Sequence, residues 1–130
     1  MEDRTTLSNW RFKKAEQCLI TAKSNLEIND YSGATNRSYY CVFHCIRSIL
    51  ALEGIDFKKH TAVISYFREH YVKPGIFDKR MSDIIGSLFI LRSECDYDDF
   101  FIISKEEITH QVENASYFME NTRDFLNRKT

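Results

Sequence analysis

The scarcity of residues that interrupt helices is the feature that most constrains this chain. Its 130 residues include one proline and four glycines. All-β folds need many turns rich in these two residues, so the sequence favours long helices joined by short connections. The strongest turn signals are few and stand at Asn29, Asp30, Gly54, Pro74 and Gly75.

Length and charge limit the class of protein. A chain of 130 residues fits one domain, which we place at residues 1–130, and it buries enough surface to fold without disulfide or metal crosslinks. Its net charge is -1 and its pI is near 6.4, so it lacks the strongly basic character typical of a nucleic-acid coat. Any contact with nucleic acid is therefore expected to come from a local patch or an assembled interface.

Neither export nor membrane insertion is indicated by the sequence. The first fourteen residues lack the apolar run of a signal peptide. The longest apolar run, residues 41–52, is interrupted by His44 and Arg47 and is too short to span a bilayer. We therefore expect a cytoplasmic protein without a membrane partner.

Hydrophobic periodicity predicts five helices, at residues 6–28, 32–53, 60–72, 78–95 and 104–127. Because their connections are short, neighbouring helices should pack antiparallel. The fold predicted is therefore all-α, an up-and-down antiparallel bundle of about five helices.

Details of three segments can be predicted further. Thr6 or Ser8 is expected to cap the first helix, whose inward residues should be Trp10, Ala15, Leu19, Ala22 and Leu26. Residues 96–101 are acidic and aromatic and are predicted to form a loop, with Tyr97 anchoring it. Ser104 followed three residues later by Glu107 has the pattern of a capping box for the last helix.

The second predicted helix separates its polar residues from its apolar ones. At about 100° per residue, its polar stripe lies within roughly 80° of the helix circumference. The stripe consists of Arg37, Tyr40, His44 and Arg47, followed by Ala51. The opposite side forms a core face of Tyr39, Val42, Ile46, Ile49 and Leu50.

Two interpretations of this stripe remain open. Arginine binds phosphate oxygens in pairs, and histidine exchanges protons near neutral pH, so the stripe suits an anion or phosphate site. Alternatively, it is the solvated face of an amphipathic helix, with His44 as a core histidine.

The cysteines give a weaker signal. Cys41, His44 and Cys45 recur at helical spacing, an arrangement that can bring three metal ligands together. A structural zinc site normally needs four ligands, and free cysteines are often core residues. We expect Cys41 and Cys45 to be core residues, and we expect neither a metal nor a cofactor.

Residues 31–50, read as Y-S-G-A-T-N-R-S-Y-Y-C-V-F-H-C-I-R-S-I-L, resemble the central helix of the HEPN domain family (higher eukaryotes and prokaryotes nucleotide-binding). Small prokaryotic members have a similar N-R-x-Y-Y-x-x-F-H pattern. His60 and the run R-S-E-C-D-Y at residues 92–97 are also similar to positions in the family.

The resemblance implies a helical bundle, often a symmetric dimer, and in many members a metal-independent endoribonuclease. The motif of those members is an Arg and a His separated by four to six residues, as Arg37 and His44 are here. It implies Arg37 and His44 as catalytic residues and Asn36 or Ser38 as a supporting polar residue. Many such proteins are toxins paired with a minimal nucleotidyltransferase antitoxin that modifies a tyrosine two residues after the His, where this chain has Ile46.

That chemistry suits these residue types. RNA cleavage needs a base for the 2′-OH proton, an acid for the 5′-oxygen and positive charge at the phosphorus. His44 suits proton transfer and Arg37 suits the charge, and a two-fold dimer supplies the second histidine. Tyr40 and Arg47 are expected to support the site, with Tyr40 or Phe43 stacking bases or sealing a dimer.

Other polar residues are expected to have structural roles. Arg92 is expected to form a structural ion pair with Asp96 or Glu94. His60 is interpreted as local structure at a helix start, with a basic patch facing RNA as the alternative. Three functional hypotheses remain: an endoribonuclease toxin, a non-catalytic module that binds a nucleotide or docks a nucleotidyltransferase, and a structural helical partner in a larger complex.

Overall fold

The computed structural model describes residues 2–129, and the described chain contains helices and no strand. The five α-helices are α1 (Glu2–Glu27), α2 (Tyr31–Ala51), α3 (His60–Phe67), α4 (Lys79–Tyr97) and α5 (Lys105–Lys129). A short π-helix, Arg68–Val72, continues directly from α3. The prediction of an all-helical bundle of five helices is confirmed. No helix within the described range combines the length and hydropathy needed to cross a membrane.

Helix α2 is the central element, because it packs against α1, α3, α4 and α5. Its predicted core face is completely or almost completely buried, and Cys41 and Cys45 are buried with it, as expected for core residues. The rest of the core comes mainly from α4 and α5 and from an aromatic cluster around Phe67 and Phe118.

Two side-chain hydrogen bonds fix α1 along α2. The Ser8 hydroxyl donates to the carbonyl oxygen of Ser48 at 2.7 Å, and the Arg11 guanidinium donates to that of Arg47 at 3.2 Å. The prediction that Thr6 or Ser8 caps α1 is wrong, since the helix begins at Glu2 and both residues lie inside it. Ser8 lies inside the helix and its hydroxyl satisfies a neighbouring helix instead.

The predicted inward face of α1 is wrong at one residue. Trp10 is 63% exposed, whereas Ala15, Leu19 and Ala22 are buried as predicted. At about 100° per residue, Trp10 lies roughly 140° away from Ala15 around the helix. The next residue, Arg11, is charged and is buried instead.

Local signals define the ends of α2. The Asp30 carboxylate accepts a hydrogen bond from the Gly33 N–H at 3.0 Å and caps the helix. Gly54, with a φ of 73°, follows the helix and adopts the left-handed conformation that glycine tolerates. The chain leaves α2 here and reaches α3 through residues 55–59.

The remaining helices differ from prediction mainly at their ends. Helix α4 continues to Tyr97, so the predicted loop at residues 96–101 begins later, at Asp98. Tyr97 is 86% exposed and does not anchor the loop. Ser104 caps α5 by accepting from the Glu107 N–H at 3.0 Å, but the Glu107 carboxylate accepts from Gln111 rather than completing a capping box.

Candidate functional site

The four polar residues of the predicted stripe lie together on one side of α2. Arg37, Tyr40, His44 and Arg47 are all partly exposed, while nearly every other residue between them is buried. Helix α1 flanks the stripe on one side, through Arg11, and the beginning of α3 flanks it on the other. These four residues form the cationic stripe.

Arg37 is oriented by its neighbour in sequence. Its Nε and Nη2 atoms lie 3.1 and 2.8 Å from the Asn36 side-chain oxygen, which accepts both hydrogen bonds. The guanidinium carbon is 5.6 Å from the centre of the Tyr40 ring. Asn36, predicted as a supporting residue, thus orients Arg37 without neutralising its charge.

His44 is a neutral imidazole surrounded by cations. Burial and the positive charges of Lys14, Arg47, Arg37 and Arg11 lower its pKa to about 4. Its buried Nδ1 atom has no hydrogen-bond partner among the residues that the structure describes. Near neutral pH the ring therefore carries no charge and can accept a proton, and a bound anion would favour its protonated form.

Arg47 belongs to an ion-pair cluster that links three segments. Its Nη2 atom lies 2.8 Å from Asp56 Oδ2, and the Nη2 atom of Arg11 lies 3.1 Å from the same oxygen. Burial acts to raise the pKa of Asp56, but the hydrogen bonds from Arg47 and the Phe57 N–H, with the charges of both arginines, lower it overall. One carboxylate thus serves two arginines, which leaves a net positive charge beside His44.

Tyr40 lies at the centre of an aromatic and cationic group. The centres of the His44 and His60 rings are each 5.9 Å from the centre of its ring. The Arg92 guanidinium, from α4, lies 5.1 Å from the same ring centre. The partly exposed Tyr40 ring is therefore surrounded by two imidazoles and by two guanidinium groups, those of Arg37 and Arg92.

Arg92 also lies close to Asp96, at 3.3 Å between Nε and Oδ2. The two groups form an ion pair without a hydrogen bond, and Nε is buried with no hydrogen-bond partner within residues 2–129. Arg92 further contacts the Tyr39 ring, at 5.1 Å from its centre. Its contacts are thus shared between the acidic residue that the sequence suggested and the aromatic residues of α2.

The structure does not bring every predicted residue to the stripe. Ser38 is completely buried, and its hydroxyl has no partner within the described part of the chain. It points into the core because it is one residue beyond Arg37, about 100° around the helix. Ser38 therefore cannot support the site by contacting a ligand on the surface of the stripe.

Sequence reasoning missed Arg11, Lys14 and Asp56 and gave His60 a local role. These residues lie on α1, on the connection after α2 and at the start of α3, so no spacing rule within α2 could have found them. The only sequence signal was the basic run of Lys58 and Lys59 before His60. No group of three or more His, Cys, Asp or Glu residues in residues 2–129 is placed to hold a metal ion.

The fold and the site together define a small all-helical domain whose central helix carries an Arg and a His on one cationic surface. The chain belongs to the HEPN domain family: the family model matches residues 8–125. The resemblance inferred from residues 31–50 is thereby confirmed.

Its relatives include archaeal and bacterial proteins. One is named "Putative toxin MJ0142", from Methanocaldococcus jannaschii, and is 28% identical over 88% of this chain and 78% of its own length. A "UPF0332 protein" of Thermotoga maritima is 28% identical over 92% of this chain and 89% of its own length. A second protein of M. jannaschii, "Putative toxin MJ0605", is 34% identical over 64% of this chain and 62% of its own length.

Proposed function

We propose that this protein is a metal-independent endoribonuclease toxin whose catalytic residues are Arg37 and His44. The observation that carries the proposal is geometric: Arg37 and His44 lie partly exposed on the same side of α2, with the charges of Arg47, Arg11 and Lys14 nearby. A proton acceptor next to fixed positive charge is what cleavage of an RNA phosphodiester needs. The names of two relatives as toxins support the physiological role.

The reaction is an attack of the ribose 2′-oxygen on the adjacent phosphorus. His44 accepts the 2′-OH proton while the new O2′–P bond forms and the P–O5′ bond breaks. An acid delivers a proton to the departing O5′, and Arg37 stabilises the additional negative charge on the phosphoryl oxygens. The products are a 2′,3′-cyclic phosphate and a 5′-hydroxyl end.

A two-fold dimer completes this mechanism. One stripe contains a single histidine, whereas the reaction needs both a base and an acid. Two stripes facing each other across a two-fold axis supply two histidines, and the bound phosphate raises the pKa of the one that acts as the acid. We therefore propose that the active form is a homodimer in which α2 contributes to the interface.

The proposed antitoxin is a minimal nucleotidyltransferase. Ile46 stands two residues after His44, and its side chain is completely buried. There is thus no tyrosine at that position to receive a nucleotide, and the partner is expected to silence the toxin by docking over the cationic stripe.

A second candidate function is a non-catalytic module that binds RNA or a nucleotide. It is favoured by one observation: the arginines of the stripe already have partners, Arg37 in Asn36 and Arg47 in Asp56. Arginines held in this way can position a phosphate without catalysing its transfer.

Cleavage of RNA by the purified protein in chelator-containing buffer separates these candidates. We expect wild type to cut and His44→Ala to cut about 10²- to 10⁴-fold more slowly, the range that proton transfer contributes. His110→Ala is the matched control, since His110 is exposed on α5. Equal and negligible cutting by wild type and His44→Ala rejects the nuclease.

A monomeric mass in solution at micromolar concentration rejects the dimeric site.

A further inference from the structure

An open cleft of about 360 Å³ adjoins the cationic stripe, between the second half of α2 and the beginning of α3. Its volume falls within the range of small-molecule sites, about 300–1,000 Å³. It is lined by Phe43, Arg47, Asp56, Phe57, Lys58 and His60. Because Arg47 belongs to both surfaces, the cleft and the cationic stripe form one continuous surface.

The charge of the cleft favours an anion. The Asp56 carboxylate accepts hydrogen bonds from Arg11, Arg47 and the Phe57 N–H. Two positive arginines around one negative carboxylate leave a net charge of about +1. Lys58 is exposed, and no ion pair within residues 2–129 engages its ammonium group. The cleft therefore offers positive charge that its own carboxylate does not cancel.

His60 is held in a defined orientation at the edge of the cleft. Its Nδ1 atom lies 2.9 Å from the Tyr39 hydroxyl, and its ring stacks on Phe43 with centres 4.0 Å apart. Tyr39 is completely buried, and burial raises its pKa to about 12 against the lowering effect of Arg92, so its hydroxyl stays protonated. Burial, followed by the charges of Arg92 and Arg47, lowers the pKa of His60, so the ring is neutral.

Among the described residues, His60 Nδ1 is the one acceptor within hydrogen-bond distance of the Tyr39 hydroxyl, so we take the O–H to donate to Nδ1, which places the imidazole proton on Nε2. The Tyr39 hydroxyl therefore makes His60 Nε2–H a hydrogen-bond donor. Tyr39 belongs to the core of α2, so the donor is held by the same helix that carries Arg37 and His44.

Phe57 adds an aromatic surface to the same cleft. Phe57 is 41% exposed. Its ring centre lies 5.7 Å from that of Tyr66, which supports it from α3. Exposed aromatic rings beside positive charge are the usual platform for the bases of single-stranded RNA.

We propose that this cleft is a subsite for the nucleotide next to the scissile phosphate of single-stranded RNA. Phe57 stacks on its base, while Lys58 and the Nε2–H of His60 bind its phosphate. Tyr40 lies between this subsite and His44, since its ring contacts both imidazoles. This inference rests on the proposed function and adds to it a second point of contact with the RNA.

The test measures binding of fluorescent single-stranded RNA by anisotropy in a His44→Ala background, where RNA is not consumed. Phe57→Ala is expected to weaken binding about tenfold, within the range of stacking on an aromatic residue. Phe100→Ala is the matched control, because Phe100 is 92% exposed and lines no part of the cleft. Far-ultraviolet circular dichroism and thermal unfolding check that each variant is folded.

Two substitutions at His60 test the role of Nε2–H. His60→Gln keeps a donor near the Nε2 position and is expected to retain most of the binding. His60→Asn keeps only a group near Nδ1 and is expected to lose about as much as Phe57→Ala. Equal losses in both variants contradict the donor role.

The outcomes separate this inference from the proposed function. If wild type cuts RNA and Phe57→Ala and His60→Asn bind as tightly as their parent, the subsite is rejected and the nuclease stands. If the parent binds RNA and the cleft variants bind less, but wild type does not cut, the subsite stands and the catalytic role is rejected. If no form binds or cuts RNA, both are rejected.

Discussion

The core side of α2 is held by packing, whereas its cationic side is held by a few hydrogen bonds and ion pairs. Tyr39, Val42 and Ile46 are completely buried against the other helices. On the cationic side, Arg37 depends on Asn36 and Arg47 depends on Asp56. One helix can therefore fix the fold with one side and hold like charges close together with the other.

This difference has an energetic origin. Burial of apolar groups stabilises the fold in proportion to the area removed from water. Clustered positive charges oppose folding: burial is the main cause of the lowered pKa of His44, and the neighbouring cations lower it further. Burial on the core side therefore offsets the repulsion between the positive charges on the cationic side.

The largest effect is expected from Ile46→Ala on the core side. Ile46 is completely buried, so the substitution leaves a cavity and lowers the free energy of unfolding by about 2–5 kcal/mol. Urea denaturation followed by circular dichroism measures this loss. A loss below about 1 kcal/mol would mean that the core side is less tightly packed than described.

A smaller effect is expected from Asp56→Ala, which removes the shared partner of Arg11 and Arg47. Arg11 is buried and its charge loses compensation, so we expect a loss of about 1–3 kcal/mol in urea denaturation. The same change should tighten RNA binding, because it removes the one carboxylate of the cleft. Asp99→Ala, on the exposed loop after α4, is the control. Weaker RNA binding by Asp56→Ala would argue against the proposed surface.

The pH dependence of stability tests the charge cluster. The pKa of His44 is about 4 in the folded protein, below the ordinary value of 6.5. The unfolded chain therefore binds this proton more readily, and the contribution of His44 to stability should fall as pH decreases from about 6.5 to about 4 and then level off.

That contribution is isolated by comparison with His44→Gln, which cannot titrate in this range. In a parallel NMR titration, Lys14→Gln should raise the pKa of His44 only part of the way towards 6.5, because burial is the larger cause. Titration of the His44 ring itself near 6.5 in the wild-type protein would contradict the described environment.

Arg37→Ala is expected to have the smallest effect on stability. Arg37 is partly exposed, and its hydrogen bonds go to the adjacent residue Asn36, so the free energy of unfolding should change by less than about 0.5 kcal/mol. Under the proposed function its RNA cleavage should nevertheless be lost. Unfolding and cleavage measured on the same preparation would show whether the two properties separate.

Periodicity was sufficient for what lies within one helix. It separated Tyr39 and Ile46 from Arg37 and His44, because a single helix imposes that geometry on its sequence. It failed where the outcome depended on a second element. Arg11 lies inward and Trp10 outward because Asp56 and the Arg47 carbonyl oxygen offer partners to a guanidinium, and neither is near Arg11 in sequence.

His60 illustrates the same limit. Its place beside Tyr40 depends on the length and path of residues 52–59, which connect α2 to α3 and carry no periodic signal. The hydrogen bond to Tyr39 spans 21 residues. Only the folded structure therefore shows that two histidines lie against one tyrosine ring.

The hydrogen bonds from Ser8 and Arg11 to carbonyl oxygens of α2 have an evolutionary consequence. They fix the position of α1 along α2. They thereby also fix the position of Lys14, whose charge lowers the pKa of His44. Deleting one residue between Ser8 and Lys14 would rotate the rest of α1 by about 100° and move it by about 1.5 Å. Among homologues, insertions and deletions should therefore accumulate in the loops and at the outer ends of these helices, while their facing segments change only by substitution.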